Sequence, residues 1–208
     1  MANDFPKPHP EQPQGSALAR KVLALLGWQL RFEGFPAKQG VMVVYPHTSN
    51  WDFVVLLLAK WAIGMDAKFW GKDSLFRVPV LGAWMRWLGG LPVNRQSTQG
   101  MVGSMVQEFA HSQNNDAPFW LALAPEGTRK WTPGWRSGFY RVATEAQVPL
   151  GICSVNFQKK TIDVTHFHRL SGDVAADMQR IAQALQDAAG KHPAQASPIT
   201  LIENKHAN

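Results

Sequence analysis

The sequence predicts a single α/β domain with a mostly parallel central sheet flanked by helices. Two observations predict this fold class: the length of 208 residues suits one domain, and short apolar or β-branched runs alternate with helical patterns. Hydrophobic residues make up 45% of the chain, enough for a sizeable core, whereas charged residues make up 17%, too few for a disordered or coiled-coil chain. We expect the domain to span residues 16–190.

The first residues are predicted to form a disordered leader followed by a helix. Residues 1–15 are rich in proline and polar side chains, which bury too little surface to become ordered. Ser16 is a suitable N-cap, and Leu18 and Leu25 lie on the apolar stripe of an amphipathic helix expected to run to about Leu30. This stripe fits a helix packed on the core, and it also fits a helix lying in a bilayer interface.

The rest of the chain is predicted to alternate between strands and helices. Strands are expected where short apolar or β-branched runs occur, at residues 41–45, 67–71, 91–93, 118–124, 151–157 and 160–167. Helices are expected where apolar residues recur at helical spacing or fill a longer run, at residues 53–64, 74–76, 81–87, 101–109, 135–146 and 173–189. The last two strands are expected to pair as a hairpin, and residues 191–208 are expected to form a weakly ordered tail.

Cysteine content and hydropathy favour a reducing compartment and a chain that does not cross a membrane. The single cysteine, Cys153, excludes an intramolecular disulfide and a multi-cysteine zinc site, and it fits a reducing compartment. No apolar stretch follows a basic start, so a signal peptide is not predicted. No uncharged apolar run reaches the roughly 18 residues that a spanning helix needs.

Charge and aromatic content favour an anionic partner. The formal net charge is +6, which suits nucleic acid, an anionic membrane or phosphorylated substrates. The chain has nine Trp residues, and five of them fall between residues 51 and 87. Because Trp is bulky and amphipathic, some of these side chains are expected at a membrane interface or along an acyl tunnel, and the others in an ordinary core.

The first candidate site follows the predicted strand at residues 41–45. His47 and Asp52 lie between this strand and the next predicted helix, and ligands usually bind at strand ends in open α/β sheets. Histidine suits general-base catalysis near neutral pH, and a carboxylate on its other ring nitrogen would fix the tautomer and stabilise the imidazolium. The alternative is that a loop residue caps the helix and His47 has no catalytic role.

Two further strand ends carry groups suited to bind an anion. The residues after the strand at 118–124 include Glu126, Gly127, Thr128 and Arg129. Glycine lets the backbone approach a ligand closely, threonine offers a hydroxyl, and arginine offers a planar fork that suits phosphate. Arg95 follows the strand at 91–93 and offers a second cation. The alternative is a turn with a solvated ion pair and an exposed arginine.

Together these residues resemble the motif blocks of the glycerolipid acyltransferases, whose best-known members are the lysophosphatidic acid (1-acylglycerol-3-phosphate) acyltransferases. The resemblance covers roughly residues 40–157, and the combination is specific although each block alone is not. The blocks are similar in order and spacing to those of the family: His47-x4-Asp52, Gly90 to Arg95, Pro125 to Arg129, and Val148 to Leu150.

The resemblance implies a reaction and a role for each block. His47 would deprotonate an acceptor hydroxyl, which attacks the thioester of acyl-CoA or acyl carrier protein, and Asp52 would orient His47. Arg95 and the block from Glu126 to Arg129 would hold the phosphate of the acceptor. The acceptor implied first is 1-acylglycerol-3-phosphate, and another lyso-lipid such as lyso-ornithine lipid is the alternative. No covalent acyl-enzyme is implied, in agreement with the absence of a Gly-x-Ser-x-Gly pattern.

The resemblance also implies what the protein binds and where it acts. It implies no metal and no cofactor beyond the acyl-CoA or acyl carrier protein co-substrate, and no nucleic-acid partner. An anionic membrane surface is an expected partner, so we expect a cytoplasmic protein associated peripherally with the inner face of the membrane. Nothing in the sequence predicts the oligomeric state. Two other functions fit the same residues: a non-catalytic basic module that binds lipid or nucleic acid, and a hydrolase in which His47 activates water.

Overall fold

The computed structural model describes residues 4–5, 7–93 and 98–202. Within them, seven strands form one sheet with helices on both faces. The strands are β1 Gln29–Phe32, β2 Gln39–Tyr45, β3 Ala67–Lys72, β4 Gly90–Val93, β5 Phe119–Leu123, β6 Leu150–Asn156 and β7 Thr161–His168. The helices are α1 Ala17–Leu25, α2 Asn50–Ile63, α3 Asp73–Phe76, α4 Pro79–Trp87, α5 Thr98–Asn114, α6 Gly138–Glu145 and α7 Val174–Ala184.

The sheet is mostly parallel, as the sequence predicts. Its strand order is β1-β7-β6-β2-β5-β3-β4. The five strands from β6 to β4 run parallel, whereas β7 is antiparallel to β6, which confirms the predicted hairpin. At the centre, β2 pairs with β5 so that Val43 lies opposite Leu123. The chain therefore leaves both strands at the same edge, which brings the segments that follow them together.

The core has two halves, one on each face of the sheet. On one face, α1 and α2 pack with Leu23, Val55 and Trp120 in their buried cluster. On the other face, α5, α6 and α7 enclose a second cluster that includes Phe109 and Phe139. Apolar side chains on both faces explain why β2 and β6 are buried along almost their whole length.

The pair of short helices α3 and α4 lies on the same face as α2. Phe69 of β3 contacts Phe53 of α2, with ring centroids 5.6 Å apart. Gly71 is two residues further along β3, so it points to the same face, where it lies against Phe76 and Met85. The layer formed by α1, α2, α3 and α4 therefore covers one side of the sheet.

Some predicted helix bounds are wrong, and long-range contacts explain why. The first helix ends at Leu25 rather than near Leu30, because Gly27 adopts a left-handed conformation (φ 79°) and the chain continues into β1. The helix expected from residue 135 begins at Gly138, because Trp135 pairs with Leu201 instead. The helix expected to reach residue 189 ends at Ala184.

Residues before α1 contact the domain although their composition suggests a leader without fixed structure. The Gln12 side chain bonds to the backbone of Phe35, donating to its carbonyl at 2.9 Å and accepting from its N–H at 2.8 Å. The Ser16 N–H donates to the carbonyl oxygen of Trp61 at 2.8 Å. Among the described residues, no helix is long and apolar enough to cross a membrane.

A pair of glycine substitutions tests the close packing of the sheet. A Cβ at Gly40 would overlap the ring of buried Trp120, whereas a Cβ at exposed Gly103 on α5 meets nothing within 4 Å. We expect Gly40→Ala to lower the free energy of unfolding by about 1–3 kcal/mol. Gly103→Ala should raise it by about 0.5–1 kcal/mol, because alanine favours a helix. Urea unfolding of both variants measures the difference, and equal effects would contradict the packing at Gly40.

Candidate active site

The loop between β2 and α2, residues 46–49, is held by hydrogen bonds at the start of α2. We call it the histidine loop. Ser49 is the N-cap of this helix, and its hydroxyl accepts a hydrogen bond from the Trp51 N–H at 3.2 Å. The Asp52 carboxylate reaches back and accepts from the Ser49 N–H at 2.9 Å. This capping box satisfies backbone donors that a helix start otherwise leaves unpaired. The same contacts hold the Asp52 side chain toward the loop.

Asp52 also contacts His47, as the sequence analysis expected. The Nδ1 atom of His47 lies 3.1 Å from Oδ2 of Asp52, and the Thr48 N–H donates to the same oxygen at 2.7 Å. Asp52 is fully buried, whereas the imidazole is 26% exposed. A carboxylate only accepts hydrogen bonds, so Nδ1 carries the proton and Nε2 is left with a lone pair. This arrangement suits a general base that is reached from solvent.

Glu126 accepts hydrogen bonds from the histidine loop and from the C-terminal segment. It follows β5, and its Oε2 accepts from the His47 N–H at 2.7 Å, while Oε1 accepts from the Ser197 N–H at 3.3 Å. The residue is buried, and burial raises the pKa of its carboxyl to about 7. Backbone donors contact both of its oxygens, so Glu126 joins the histidine loop to the C-terminal segment, and its predicted contact with the acceptor phosphate stays a prediction.

The rest of this block lies at the surface beside the start of α2. Gly127 has a φ of 67°, and a Cβ there would come within 2.8 Å of Nε of Arg136. Thr128 is half-buried, and its hydroxyl accepts from the Lys130 N–H. The exposed Arg129 donates through Nη1 to Oδ1 of Asn50, the first residue of α2. These contacts bring a cation next to the histidine loop.

Of the residues predicted to hold the acceptor phosphate, Arg95 lies outside the described residues. Its role stays a prediction. The structure adds Arg136, which sequence reasoning missed, because its side chain lies against Gly127 and its N–H donates to the carbonyl of Pro125 at 2.9 Å. A lone arginine between a motif and a helix carries no signal in the sequence. The glycine at position 127 is consistent with this contact, because it has no Cβ and leaves space for the Arg136 side chain.

The last described residues form part of the wall of the site. Ser197 is buried and donates its N–H to Glu126, and its carbonyl oxygen accepts from the Tyr45 hydroxyl at 2.9 Å. Its own hydroxyl accepts from the Thr132 N–H at 3.0 Å. Sequence reasoning could not find these contacts, because their partners lie as many as 152 residues away along the chain.

The same C-terminal segment contacts the histidine loop directly. The His192 N–H donates to the hydroxyl of buried Thr48 at 3.2 Å. The 3₁₀ turn Pro193–Gln195 brings the Gln195 amide nitrogen to 3.1 Å from the Thr48 carbonyl oxygen and 2.6 Å from that of Arg129, in the amide orientation that satisfies its hydrogen bonds. The segment therefore joins the two predicted motif loops.

An apolar cavity of about 180 Å³ begins at His47 and lies between α2 and the sheet. It extends toward Met65 and Ala67 at the opposite edge of the sheet. Its lining is almost wholly apolar and includes Val44, Phe53, Leu57, Phe69, Ala122 and Cys153. The exceptions are His47 and Lys60, and Lys60 donates to the carbonyl oxygens of Ala67 at 3.0 Å and Leu88 at 2.8 Å. A cavity of this kind accommodates an alkyl chain better than a polar ligand.

A family comparison decides what kind of protein carries this site. The model of the acyltransferase family matches residues 29–156, which include β1 to β6 and both motif loops. The chain belongs to the acyltransferase family. The family resemblance that the motif blocks indicate is therefore confirmed, and the match places the His47 loop, the Glu126 block and the apolar cavity in one acyltransferase domain.

The fold of this acyltransferase is also similar to a solved structure. That structure is the crystal structure of the 1-acyl-sn-glycerophosphate (LPA) acyltransferase PlsC from Thermotoga maritima. The two share 16% sequence identity with a TM-score of 0.51, and the match covers 81% of this chain and 73% of that chain. At this identity, the match supports the fold alone. No curated protein sequence matches this acyltransferase significantly.

A proline at position 197 tests the support from the C-terminal segment. Ser197→Pro removes the N–H that donates to Glu126. The preceding residue already has the extended ψ of 129° that a proline requires. We expect the free energy of unfolding to fall by about 1–3 kcal/mol, because a buried acceptor loses its partner, and turnover to fall with it.

Ser197→Ala is the matched control, because it keeps the N–H and loses only the hydroxyl contact with Thr132. It should affect turnover less than the proline does. Urea unfolding and a turnover assay on both variants give the comparison. Equal losses of turnover in the two variants would show that the bond to Glu126 does not position the loop.

Replacing Glu126 with glutamine should change how stability depends on pH. Burial raises the pKa of this carboxyl from 4.5 to about 7, so the folded protein binds the proton more tightly than the unfolded chain does. The wild type therefore loses stability as the pH rises through this window, on the order of 3 kcal/mol in total, and Glu126→Gln lacks this loss.

Urea unfolding of both proteins at about pH 5 and about pH 8 measures this effect. The glutamine places an N–H against a backbone donor, and that cost is the same at both pH values. The difference between the two proteins should therefore shift in favour of the variant at the higher pH. A difference that does not change with pH would show that Glu126 does not titrate in this window.

Proposed function

We propose that this acyltransferase moves an acyl chain from the thioester of acyl-CoA or acyl carrier protein to the hydroxyl of a lysophospholipid-like acceptor. The acceptor proposed first is 1-acylglycerol-3-phosphate. The observation that carries the proposal is the contact between His47 and Asp52, 3.1 Å long, at the mouth of an apolar cavity in a chain of this family.

In the proposed reaction, His47 acts as the general base. Its Nε2 atom takes the proton of the acceptor hydroxyl, and the oxygen attacks the thioester carbonyl carbon. The tetrahedral intermediate then collapses, the C–S bond breaks, and the leaving thiolate takes the proton from the imidazolium. Asp52 keeps the proton on Nδ1 and stabilises the imidazolium, in the manner of the acid in a Ser-His-Asp triad. No group of the protein is acylated in this sequence.

The acyl chain would lie in the cavity beneath α2. The cavity starts at His47, so a chain inside it holds its thioester carbon next to the base. Its lining by Phe53, Leu57 and Phe69 excludes water from the chain and favours an alkyl group. Water is thereby kept from the face of the thioester that the cavity covers, which favours transfer over hydrolysis.

The phosphate of the acceptor would bind the cations beside the histidine loop. Arg129 donates a hydrogen bond to Asn50 at the start of α2, and Arg136 lies against Gly127. Guanidinium groups bind phosphate oxygens in a bidentate manner. The similar fold of PlsC from Thermotoga maritima, a 1-acyl-sn-glycerophosphate acyltransferase, supports the same acceptor. We propose that Arg95 contributes a further cation.

Acyl transfer by the purified protein tests this proposal. The assay supplies labelled acyl-CoA or acyl carrier protein thioester with 1-acylglycerol-3-phosphate, and it measures labelled lipid and released thiol separately. We expect the wild type to form acylated lipid and His47→Ala to lose about 10²- to 10⁴-fold of the rate, because the general base is gone.

His111→Ala is the matched control, because His111 is exposed on α5 and its ring contacts only Asn115 among the described residues. Its activity should equal that of the wild type. Thiol release without acylated lipid would instead support a hydrolase. Transfer only to another lyso-lipid would correct the acceptor, and binding of lipid without turnover in either protein would support a non-catalytic module.

A further inference from the structure

One layer of the protein exposes nearly all of the large apolar side chains found at its surface. Among the described residues, thirteen large hydrophobic side chains are exposed, and eleven belong to α1, α2 and the α3–α4 pair or to their caps. The eleven are Leu18, Leu25, Leu26, Trp51, Val54, Trp61, Leu75, Val78, Val80, Trp84 and Trp87. We call this set the apolar face. On the rest of the described chain, only Trp131 and Val174 are comparable.

Helix α4 shows most clearly that the apolar face is separate from the side chains that pack into the core. Val80, Trp84 and Trp87 are 84%, 46% and 74% exposed, and their spacing places them on one side of the helix. Gly82 and Met85 on the opposite side are buried. The helix therefore already packs against the protein with one side and presents a second apolar side outward. Contiguous exposed apolar surface of this kind marks an interaction site.

Helix α2 continues the same face next to the cavity. Trp51, Val54 and Trp61 are exposed along its outer side. Phe53, which lines the cavity, lies with its ring centroid 6.3 Å from that of Trp84 on α4. Helix α4 therefore contacts α2 through a residue that lines the cavity.

Basic residues accompany the apolar face along the chain. Between residues 68 and 93, the chain has four basic residues and one acidic residue, Asp73, which pairs with Arg77 at 2.6 Å. Arg86 on α4 is exposed, and the Lys191 ammonium lies 5.0 Å from the ring centroid of Trp51. Trp and basic residues together are typical of surfaces that lie in the headgroup region of an anionic bilayer.

We propose that the protein docks on an anionic lipid bilayer through the outer sides of α1, α2 and α4. This inference rests on the proposed function, because a lipid acceptor and an acyl chain would then reach the cavity from the bilayer. The charge favours a bilayer over a second copy of the chain. A symmetric dimer through this face would place the basic residues of two copies against each other, which costs free energy.

Flotation with lipid vesicles tests the docking surface. The probe is a vesicle of phosphatidylcholine with a minor fraction of phosphatidylglycerol, mixed with the full chain. The wild type should float with the vesicles, more weakly at high salt or without phosphatidylglycerol. Val80→Ser combined with Trp87→Ser should lower the partition coefficient at least about tenfold, because two exposed apolar side chains no longer enter the interface.

Val174→Ser is the matched control, because Val174 is exposed on α7 at the opposite face. It should float as the wild type does. Failure of the wild type to float, or equal flotation of the double variant, would overturn the proposal. So would a change of oligomeric state in the double variant, seen by light scattering, without a change in flotation. Unfolding temperatures of all three proteins should agree, since the replaced side chains face outward.

Transfer assays separate this inference from the proposed function. With a short-chain acceptor dissolved as monomers, the double variant should turn over at the wild-type rate, and with the acceptor in vesicles it should be slower by the factor that flotation gives. Flotation lost in the double variant without any acyl transfer by the wild type would support the surface and refute the function. Acyl transfer by the wild type together with equal flotation of all variants would support the function and refute the surface.

Discussion

The structure of the site depends on one buried carboxylate. Asp52 has no exposed surface, and its Oδ2 accepts from the Nδ1 of His47 and from the N–H groups of Thr48 and Ser49. The same side chain caps α2, so one residue sets the start of the helix, the path of the loop and the orientation of the imidazole. A buried carboxylate is tolerated when donors surround it, and here the donors are the elements that it positions. Its other oxygen, Oδ1, has no partner among the described residues, so three contacts on Oδ2 carry this role.

The loop is held from two further directions, which limits how far His47 can move. Glu126 accepts from the His47 N–H at the end of the neighbouring strand, and Ser197 in turn donates to Glu126. His192 and Gln195 contact the loop on its other side, where both donate hydrogen bonds to Thr48. Parallel pairing of β2 with β5 brings Glu126 next to His47, whereas Ser197, His192 and Gln195 belong to the C-terminal segment and reach the loop from far along the chain. General-base catalysis needs hydrogen-bond reach, and such multiple support favours a fixed geometry.

Whether a contact is local or long-range along the chain explains how much of the protein could be predicted from its sequence. The mostly parallel sheet and the contact between His47 and Asp52 could be predicted, because strand periodicity and a five-residue separation are local signals. The sequence predicts a helix that runs into the first residues of β1, because the pairing of β1 with β7 has no local signal. Ser197 and Arg136 could not be found, because their roles come from contacts made in the folded chain. The block from Glu126 to Arg129 was assigned a single role, whereas burial separates Glu126 from the exposed Arg129.

The cavity and the apolar face belong to one layer of helices, and Lys60 shows how they are joined. Its stem lines the inner part of the cavity, and its ammonium donates to Ala67 at the start of β3 and to Leu88 at the end of α4. Burial lowers the pKa of this ammonium, and the two carbonyl oxygens supply the partners that a buried donor requires. Because Lys60 belongs to α2, these bonds fix α4 to the helix that roofs the cavity. A helix that docks on a bilayer through Val80 and Trp87 would therefore hold the cavity mouth and His47 at a constant depth from the lipid surface.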